Sequence, residues 1–311
     1  MPKLFVYDTS RKVTTNFTIA FARGVVRHTN LNRGRWEVKH VPIENYLQNG
    51  LPRDMLPGED AVATLGILRG TGLMLKEAKS KGIDYYYMDH AYFKPGYSGK
   101  GWMRITKNGH ACTMLRDIAN VRWKGFHKNA GYNMEPWRKN DERGSLIVIC
   151  PPTNAVSWFF DMPPDRWETN IVKELKKLLP EEEHSRIVVR RKPKEPIVDH
   201  RGNLVELREY PQEGSLSDAL DQAHCVIAYN SMVALEATLK GIPVITSEHS
   251  CCTKVSFSID DFRQGPMPEQ FNTEPLNRRA LMYWLAHNQF KMKEIESGKA
   301  WSMLQENYLG V

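Results

Sequence analysis

Small polar residues, cations and carboxylates recur in this chain where short apolar runs end. The run 223–228 gives way to Asn230-Ser-Met232, and a helix-like stretch follows that carries Glu236 and closes at Gly241 before Pro243. A polar turn between a strand's carboxyl end and a helix amino terminus offers backbone N–H groups and the positive end of a helix dipole. Asn230, Ser231 and Met232 therefore suit a bound anion. One αβ unit earlier, Arg190, Arg191 and Lys192 stand in the turn 190–194. Cations there offset the charge of a phosphate pair that a helix end meets only in part. Asp89 and His90 close the run 83–88. A carboxylate or imidazole at a strand end is placed to accept a proton, with Asp89 the first choice, His90 its orienter or substitute, and Asp8 the competing carboxylate. The loop 152–154 reads as a proline turn after the run 146–150, and His249 follows the strand after Glu236. Each has a plainer reading: a helix cap at Asn230 or Ser231, solvated arginines at a strand end, a turn cap at Asp89.

These residues need a framework, and the periodicity supplies one. Strands are expected at 3–7, 36–41, 60–66 and 83–88, with helices at 15–27 and 73–81. This β-α-β rhythm predicts a parallel sheet whose strand ends carry Asp8, Arg11, Arg69, Asp89 and His90, where ligands of such sheets gather. From 91 to 143 periodicity is weak, with a short hairpin around 102–106. A second unit is predicted from strands at 146–150 and 186–190, helices at 164–179 and 215–223, and the strand–turn–helix–strand segment 218–246. Helices at 276–287 and 290–304 end the chain. The expected division is 1–143, 144–285 and a terminal helix 286–311.

The 311 residues, 41% hydrophobic and 25% charged, fit a globular protein of two domains. No apolar run approaches the ~18 residues of a membrane span, and the first residues lack the apolar core of a signal peptide. Five cysteines, two of them adjacent, have no zinc-knuckle spacing. With no His or Cys set at ligand spacing, no obligatory metal is expected, and a reducing cytoplasm is the expected location. The net charge of +7 is localised: eleven Lys or Arg against four acids lie between Lys94 and Arg143, an excess equal to that of the whole chain. Tyr97, Trp102, Trp123, Phe126, Tyr132 and Trp137 are interleaved with them. Cations among flat rings suit a polyanion with stackable bases, and a solvated loop over packed aromatics is the alternative.

The segment 218–246 resembles the nucleotide-sugar site in the C-terminal domain of GT-B glycosyltransferases. The runs Tyr85-Tyr-Tyr-Met-Asp-His-Ala-Tyr-Phe93, Gly101-Trp-Met-Arg-Ile-Thr-Lys-Asn108 and 285–301 resemble small bacteriophage-type enzymes that glycosylate hydroxymethylated pyrimidines in DNA. The resemblance implies an α/β GT-B fold, two Rossmann-like domains with parallel sheets facing a cleft and a last helix crossing back to the first. It implies a nucleotide diphosphosugar donor, a UDP-sugar above all, with its diphosphate at Asn230, Ser231, Met232, Arg190, Arg191 and Lys192. Glu236 would meet the ribose, and His249 would lie near the sugar. Asp89 would take the acceptor's hydroxyl proton with His90 beside it. Duplex DNA would meet Lys100, Trp102, Arg104, Lys107, Arg122, Lys124 and Lys128, in the host cytoplasm if the protein is viral. Two other readings stay open, a transferase of surface polysaccharide or lipid-linked glycan and a non-catalytic nucleic-acid-binding protein. No membrane partner is expected, and oligomeric state is open.

Overall fold

The computed structural model describes residues 1–31, 36–93, 101–130 and 132–307, apart from the side chains at 13, 14, 31, 127–130 and 307. The chain forms two compact units. Unit 1 comprises Met1–His110, Val198–Leu204 and Leu285–Val311, and unit 2 comprises Ala111–Ile197 and Val205–Trp284.

Unit 1 opens with β1 (Lys3–Asp8), α1 (Lys12–Leu31), β2 (Glu37–Pro42), α2 (Ile43–Asn49), β3 (Ala61–Leu65), α3 (Thr71–Ser80), β4 (Asp84–His90) and β5 (Trp102–Lys107). Unit 2 follows with α4 (Val121–Ala130), β6 (Leu146–Cys150), α5 (Asn154–Phe159), α6 (Arg166–Leu178), β7 (Ile187–Val189), the hairpin strands β8 (Lys194–Val198) and β9 (Leu204–Glu209), α7 (Leu216–Asp221), β10 (Ala223–Ala228), α8 (Val233–Leu239), β11 (Val244–Thr246) and α9 (Arg278–His287). The chain then re-enters unit 1 as β12 (Gln289–Lys291), α10 (Met292–Glu296) and α11 (Lys299–Asn307).

The sheet of unit 1 has the order β12-β5-β4-β3-β1-β2. Strands β2, β1, β3 and β4 are parallel, as the alternation of strands and helices predicts, whereas β5 runs antiparallel to β4 and β12 antiparallel to β5. Both faces of β1, β3 and β4 are buried, so these strands read as continuous apolar runs. Phe17, Phe21 and Val25 recur at helical spacing and line one side of α1, where they meet Leu4, Val6, Tyr86 and Met88 of the sheet. Trp301 of α11 completes this core, its ring 4.9 Å from Tyr86, 5.8 Å from Phe21 and 5.4 Å from Trp36. The C-terminal segment is thus joined to the first unit, but not as one helix from 290 to 304. Gln289–Lys291 are drawn into the sheet by β5, and the Gln289 amide bonds both the N–H and the carbonyl of Phe93 at 2.9 and 3.1 Å.

Unit 2 is built on a four-stranded, wholly parallel sheet of order β11-β10-β6-β7. Its amphipathic helix α6 covers one face through Leu175, backed by Leu179, Phe262 and Phe271. Helix α8 buries Ala234, Leu235, Ala237 and Thr238. The unit starts at Ala111, not at 144 as the sequence suggested. Residues 132–143 form an extended strap on unit 2: Glu135 N–H bonds Leu239 O, Arg138 N–H bonds Gly241 O, and the Trp137 indole bonds Phe271 O at 2.8 Å. Gly241 has φ +73 and lies against the Pro136 carbonyl, so a Cβ there would meet backbone. A strap hydrogen-bonded to distant carbonyls has no period of its own, which is why this stretch looked like an insertion. Among the described residues no helix is long and apolar enough to cross a membrane. All five cysteines are buried free thiols.

Candidate functional site

In unit 2 the chain leaves β6 and β10, adjacent strands, toward opposite sides of the sheet. The carboxyl ends of such a pair border a crevice where ligands of open α/β sheets bind. Three features converge there. Arg190, just past β7, gives both terminal nitrogens to carbonyls, Glu213 O at 3.1 Å and Gly214 O at 2.9 Å, which fixes the guanidinium without neutralising it. Cys150 ends β6; burial pushes its thiol up to about 12, and the charges of Arg190 and of Glu236 on α8 both reach it. Arg190 and Glu236 therefore flank one strand end. Beyond β10, Ser231 accepts the Val233 N–H at 3.3 Å in the turn that precedes α8, whose N-cap residue is Met232. At seven residues α8 is short, and its dipole is a weaker attraction than a longer helix would give.

A cavity of about 530 Å³ adjoins this turn, walled by Trp167, Tyr229 and Phe257, with Thr246, Ser247 and Ser258 among its polar groups. The Thr246 hydroxyl is buried with no hydrogen-bond partner among the described residues, a vacancy in its bonding that a ligand can fill. Phe160 extends the aromatic wall: its ring stacks on His249 at 4.2 Å and meets Tyr229 at 5.6 Å. His249 is also 3.3 Å from Glu248. The sequence had flagged His249 but not the cavity, because its walls come from α6, β10, β11 and the loop at 256–259, which no local pattern links.

Other expected donor contacts are spoken for. Arg191 is paired with Asp165 at 2.9 Å and Glu168 at 2.5 Å and lies over the Tyr210 ring, so it is a structural cation. The Asn154 N–H in the loop after β6 is bound by the buried carboxylate of Glu195, and Thr153 caps α5. A negative charge at that helix start disfavours a phosphate. Lys192 is exposed, and Asn230 and Met232 flank Ser231 at the strand end.

In unit 1, Asp89 is the penultimate residue of β4 and does not resemble a free base. It accepts from Tyr87 OH at 2.7 Å, Arg104 at 3.0 Å and the His90 N–H at 2.7 Å. Burial works against its charge, yet Arg104, His110, Tyr87 and the His90 amide outweigh burial and hold its carboxyl below the ordinary value. Such a carboxylate suits a fixed counter-ion better than a proton acceptor. His90 is exposed. Asp8, the competing carboxylate, is 6% exposed at the end of β1 and accepts from Ser10 N–H at 2.7 Å and Thr15 OH at 3.2 Å. Its other oxygen is 3.1 Å from His40 Nε2.

Several described cations of the basic aromatic segment are engaged by groups within their own unit. The segment is divided between the units at 110/111. Arg104, 5% exposed, is the partner of Asp89 and is not presented to a phosphate; Lys107 pairs with Asp84 at 2.7 Å. Arg138 pairs with Glu135, and Arg143 is buried against the carbonyls of Arg138 and Phe271. Phe126 is buried and Trp102 lies beneath Lys291, 5.1 Å away. Lys124 is exposed and Arg122 half-buried on α4. Lys100 and the side chain of Lys128 lie outside the described residues. Sequence distance hid these pairings, since Asp84 and Asp89 precede their partners by more than a dozen residues. Among the described residues no group of three or more His, Cys, Asp or Glu could hold a metal ion.

No protein-family model matches the chain, and no curated protein matches it. Among solved structures it is similar to Thermosulfurimonas dismutans KpsC, beta Kdo 2,4 transferase, with a TM-score of 0.43 and 14% identity over 93% of this chain and 91% of that one. It is also similar to Thermosulfurimonas dismutans KpsC, beta Kdo 2,7 transferase, with a TM-score of 0.42 and 14% identity over 98% of this chain and 99% of that one. A third similarity is to an extracellular ligand binding receptor from Desulfohalobium retbaense DSM5692, with a TM-score of 0.27 and 12% identity over 100% of this chain and 53% of that one.

Proposed function

We propose that the chain is a glycosyltransferase that binds a nucleotide diphosphosugar in unit 2 and transfers its sugar to a hydroxyl of a surface polysaccharide or lipid-linked glycan. The observation that carries this reading is the cavity walled by Trp167, Tyr229 and Phe257 at the carboxyl ends of β10 and β11, next to a strand end flanked by Arg190 and Glu236. Flat aromatic walls take a planar base, a carboxylate accepts from ribose hydroxyls, and a fixed guanidinium meets phosphate oxygens. In transfer, the acceptor hydroxyl's oxygen bonds to the anomeric carbon as the bond from that carbon to the diphosphate oxygen breaks, and the hydroxyl proton passes to water or to the departing diphosphate. Arg190, with exposed Lys192 nearby in sequence, offsets the charge that grows on the departing diphosphate. A uridine nucleotide is the donor first expected.

A glycan acceptor is favoured over duplex DNA because four of the eight cations of the 94–143 segment whose side chains are described are held by partners within the protein. Arg104, Lys107, Arg138 and Arg143 all have internal partners, which leaves little phosphate-neutralising surface of the kind DNA binding requires.

The test is a panel of nucleotide sugars with nucleotide release as the readout, followed by mass spectrometry on glycan acceptors and on duplex DNA containing hydroxymethylated pyrimidines. One donor should be turned over and a glycan should gain one sugar's mass. Mass gain on the DNA alone would overturn the acceptor assignment, and turnover of no donor would overturn the transferase reading.

A further inference from the structure

Asp89 is held as a counter-ion, and unit 1 carries a second acid–base group of side chains that no local pattern joins. In the parallel pair of β1 and β2, His40 stands opposite Val6 and Pro42 opposite Asp8. Side chains alternate across a strand, so Asp8, two residues beyond Val6, shares a face of the sheet with His40. The first two turns of α1 bring Thr15 and Thr18 to that face.

The two oxygens of Asp8 have different partners. Oδ1 accepts from the Ser10 N–H at 2.7 Å and the Thr15 hydroxyl at 3.2 Å, which ties the carboxylate to the start of α1. Oδ2 lies 3.1 Å from His40 Nε2. The same Nε2 is 3.0 Å from Thr18 Oγ1. Thr18 gives its own hydroxyl proton to the Thr15 carbonyl at 3.0 Å, so its oxygen meets Nε2 as an acceptor. Two acceptors on one ring nitrogen put the proton on Nε2. In neutral imidazole the lone pair then lies on Nδ1, which has no hydrogen-bond partner among the described residues. The Asp8 side chain is 7% exposed and that of His40 28%, so the carboxylate is shielded while the imidazole can be reached. Capping of α1 uses only Oδ1 and does not account for Oδ2 and Thr18 converging on one nitrogen. A carboxylate that anchors one imidazole nitrogen fixes the ring and stabilises the imidazolium formed when the other nitrogen takes a proton.

We propose that His40, held by Asp8 and Thr18, is the proton acceptor of unit 1 and that its Nδ1 takes the proton of the acceptor hydroxyl. This step rests on the transferase reading. As the hydroxyl oxygen bonds to the anomeric carbon and the diphosphate leaves with the bonding pair, the proton moves to Nδ1, and the imidazolium then yields it to water. His40 is the catalytic residue; Asp8 takes no proton and is a positioning residue.

Long-range 1H–15N NMR of the full chain, labelled at histidine and free of any sugar, reads the tautomer. His40 should show a protonated Nε2 and a bare Nδ1. Kinetics then follow transfer between the nucleotide sugar and the glycan identified by the donor and acceptor panel. His40→Ala should lower kcat by ~100-fold or more with the donor KM within about 2-fold, and added imidazole should restore part of the rate. Asp8→Asn should lower kcat by roughly 10-fold or more, because it removes the charge that stabilises the imidazolium. A proton on Nδ1, an unchanged kcat in His40→Ala, or a fall that imidazole does not restore would each overturn the assignment. Because the tautomer is read without donor or acceptor, the His40 assignment and the transferase reading can fail separately.

Discussion

The parallel strands of the two units share one spatial order: β2-β1-β3-β4 in unit 1 and β7-β6-β10-β11 in unit 2. Each order has a single point where consecutive connections diverge, and backbone topology makes a crevice at both. What fills them differs. Unit 1 has a buried carboxylate, Asp8, and an Arg69 with a left-handed backbone, whereas unit 2 has a fixed Arg190, a carboxylate on α8 and an aromatic-walled cavity. One arrangement of strands thus carries two different sets of side chains, and the turn residues after each strand decide which. Fold alone would not have separated them.

The comparison breaks most visibly at the ion pairs. Arg104→Ala leaves Asp89 without its cation, and with Asp89 partly solvent-exposed the loss should be near 3 kcal/mol, the low end for breaking a buried pair. Urea denaturation measures it. If instead stability holds and transfer collapses, Asp89 is a base after all. In unit 2, Arg190→Ala should lower kcat/KM for the donor by roughly 30–100-fold, about 2–3 kcal/mol for a charged contact, whereas Arg191→Ala should change it by less than about 3-fold. Similar losses in both variants would mean that Asp165 and Glu168 do not occupy Arg191 in solution.

Acid should separate the units. His224 on β10 is fully buried with neither ring nitrogen bonded among the described residues, and burial, then Arg143 and Arg186, push its pKa down to about 3. Between that value and its ordinary 6.5 the unfolded chain holds a proton that the folded chain lacks. Stability of unit 2 is therefore full above 6.5 and falls by up to about 1.4 kcal/mol per pH unit below it. Asp89 in unit 1 has a lowered pKa, so its contribution is present above the ordinary 3.8 and is lost only as pH falls further. Hydrogen exchange at pH 5 should show unit 2 opening first, and His224→Leu should flatten that slope. Earlier opening of unit 1 would remove His224 as the cause. The smallest effect belongs to exposed Lys124: Lys124→Glu should shift stability by under about 0.5 kcal/mol and leave donor turnover unchanged.

The parallel strands were legible because both faces are buried and their apolar runs are uninterrupted, as at Leu146–Cys150 and Ala223–Ala228. The polar turn at Asn230-Ser231 was legible for a related reason, since its polar residues stand directly after such a run. What escaped was non-local. Three residues, Gln289–Lys291, become a strand only because β5 is there to pair with them. The charges of 94–143 read as a patch until Asp84 and Asp89 are placed beside Lys107 and Arg104. Arg191 and Arg190 are neighbours of the same type, and only the position of Asp165 and Glu168 tells the structural one from the other.

Unit 1 begins the chain and also draws on its last described residues: Phe290 in the sheet, and Ile295, Trp301 and Leu304 against α1. On the ribosome, strands β1 to β4 emerge long before Trp301 can reach Phe21 and Tyr86, whereas nearly all of unit 2 is made as one stretch in between. Unit 2 should accordingly reach its native state first, and nascent chains halted near residue 288 should protect β6 and β10 from protease while β1 and β3 remain susceptible. Residues 1–110 are the part that waits.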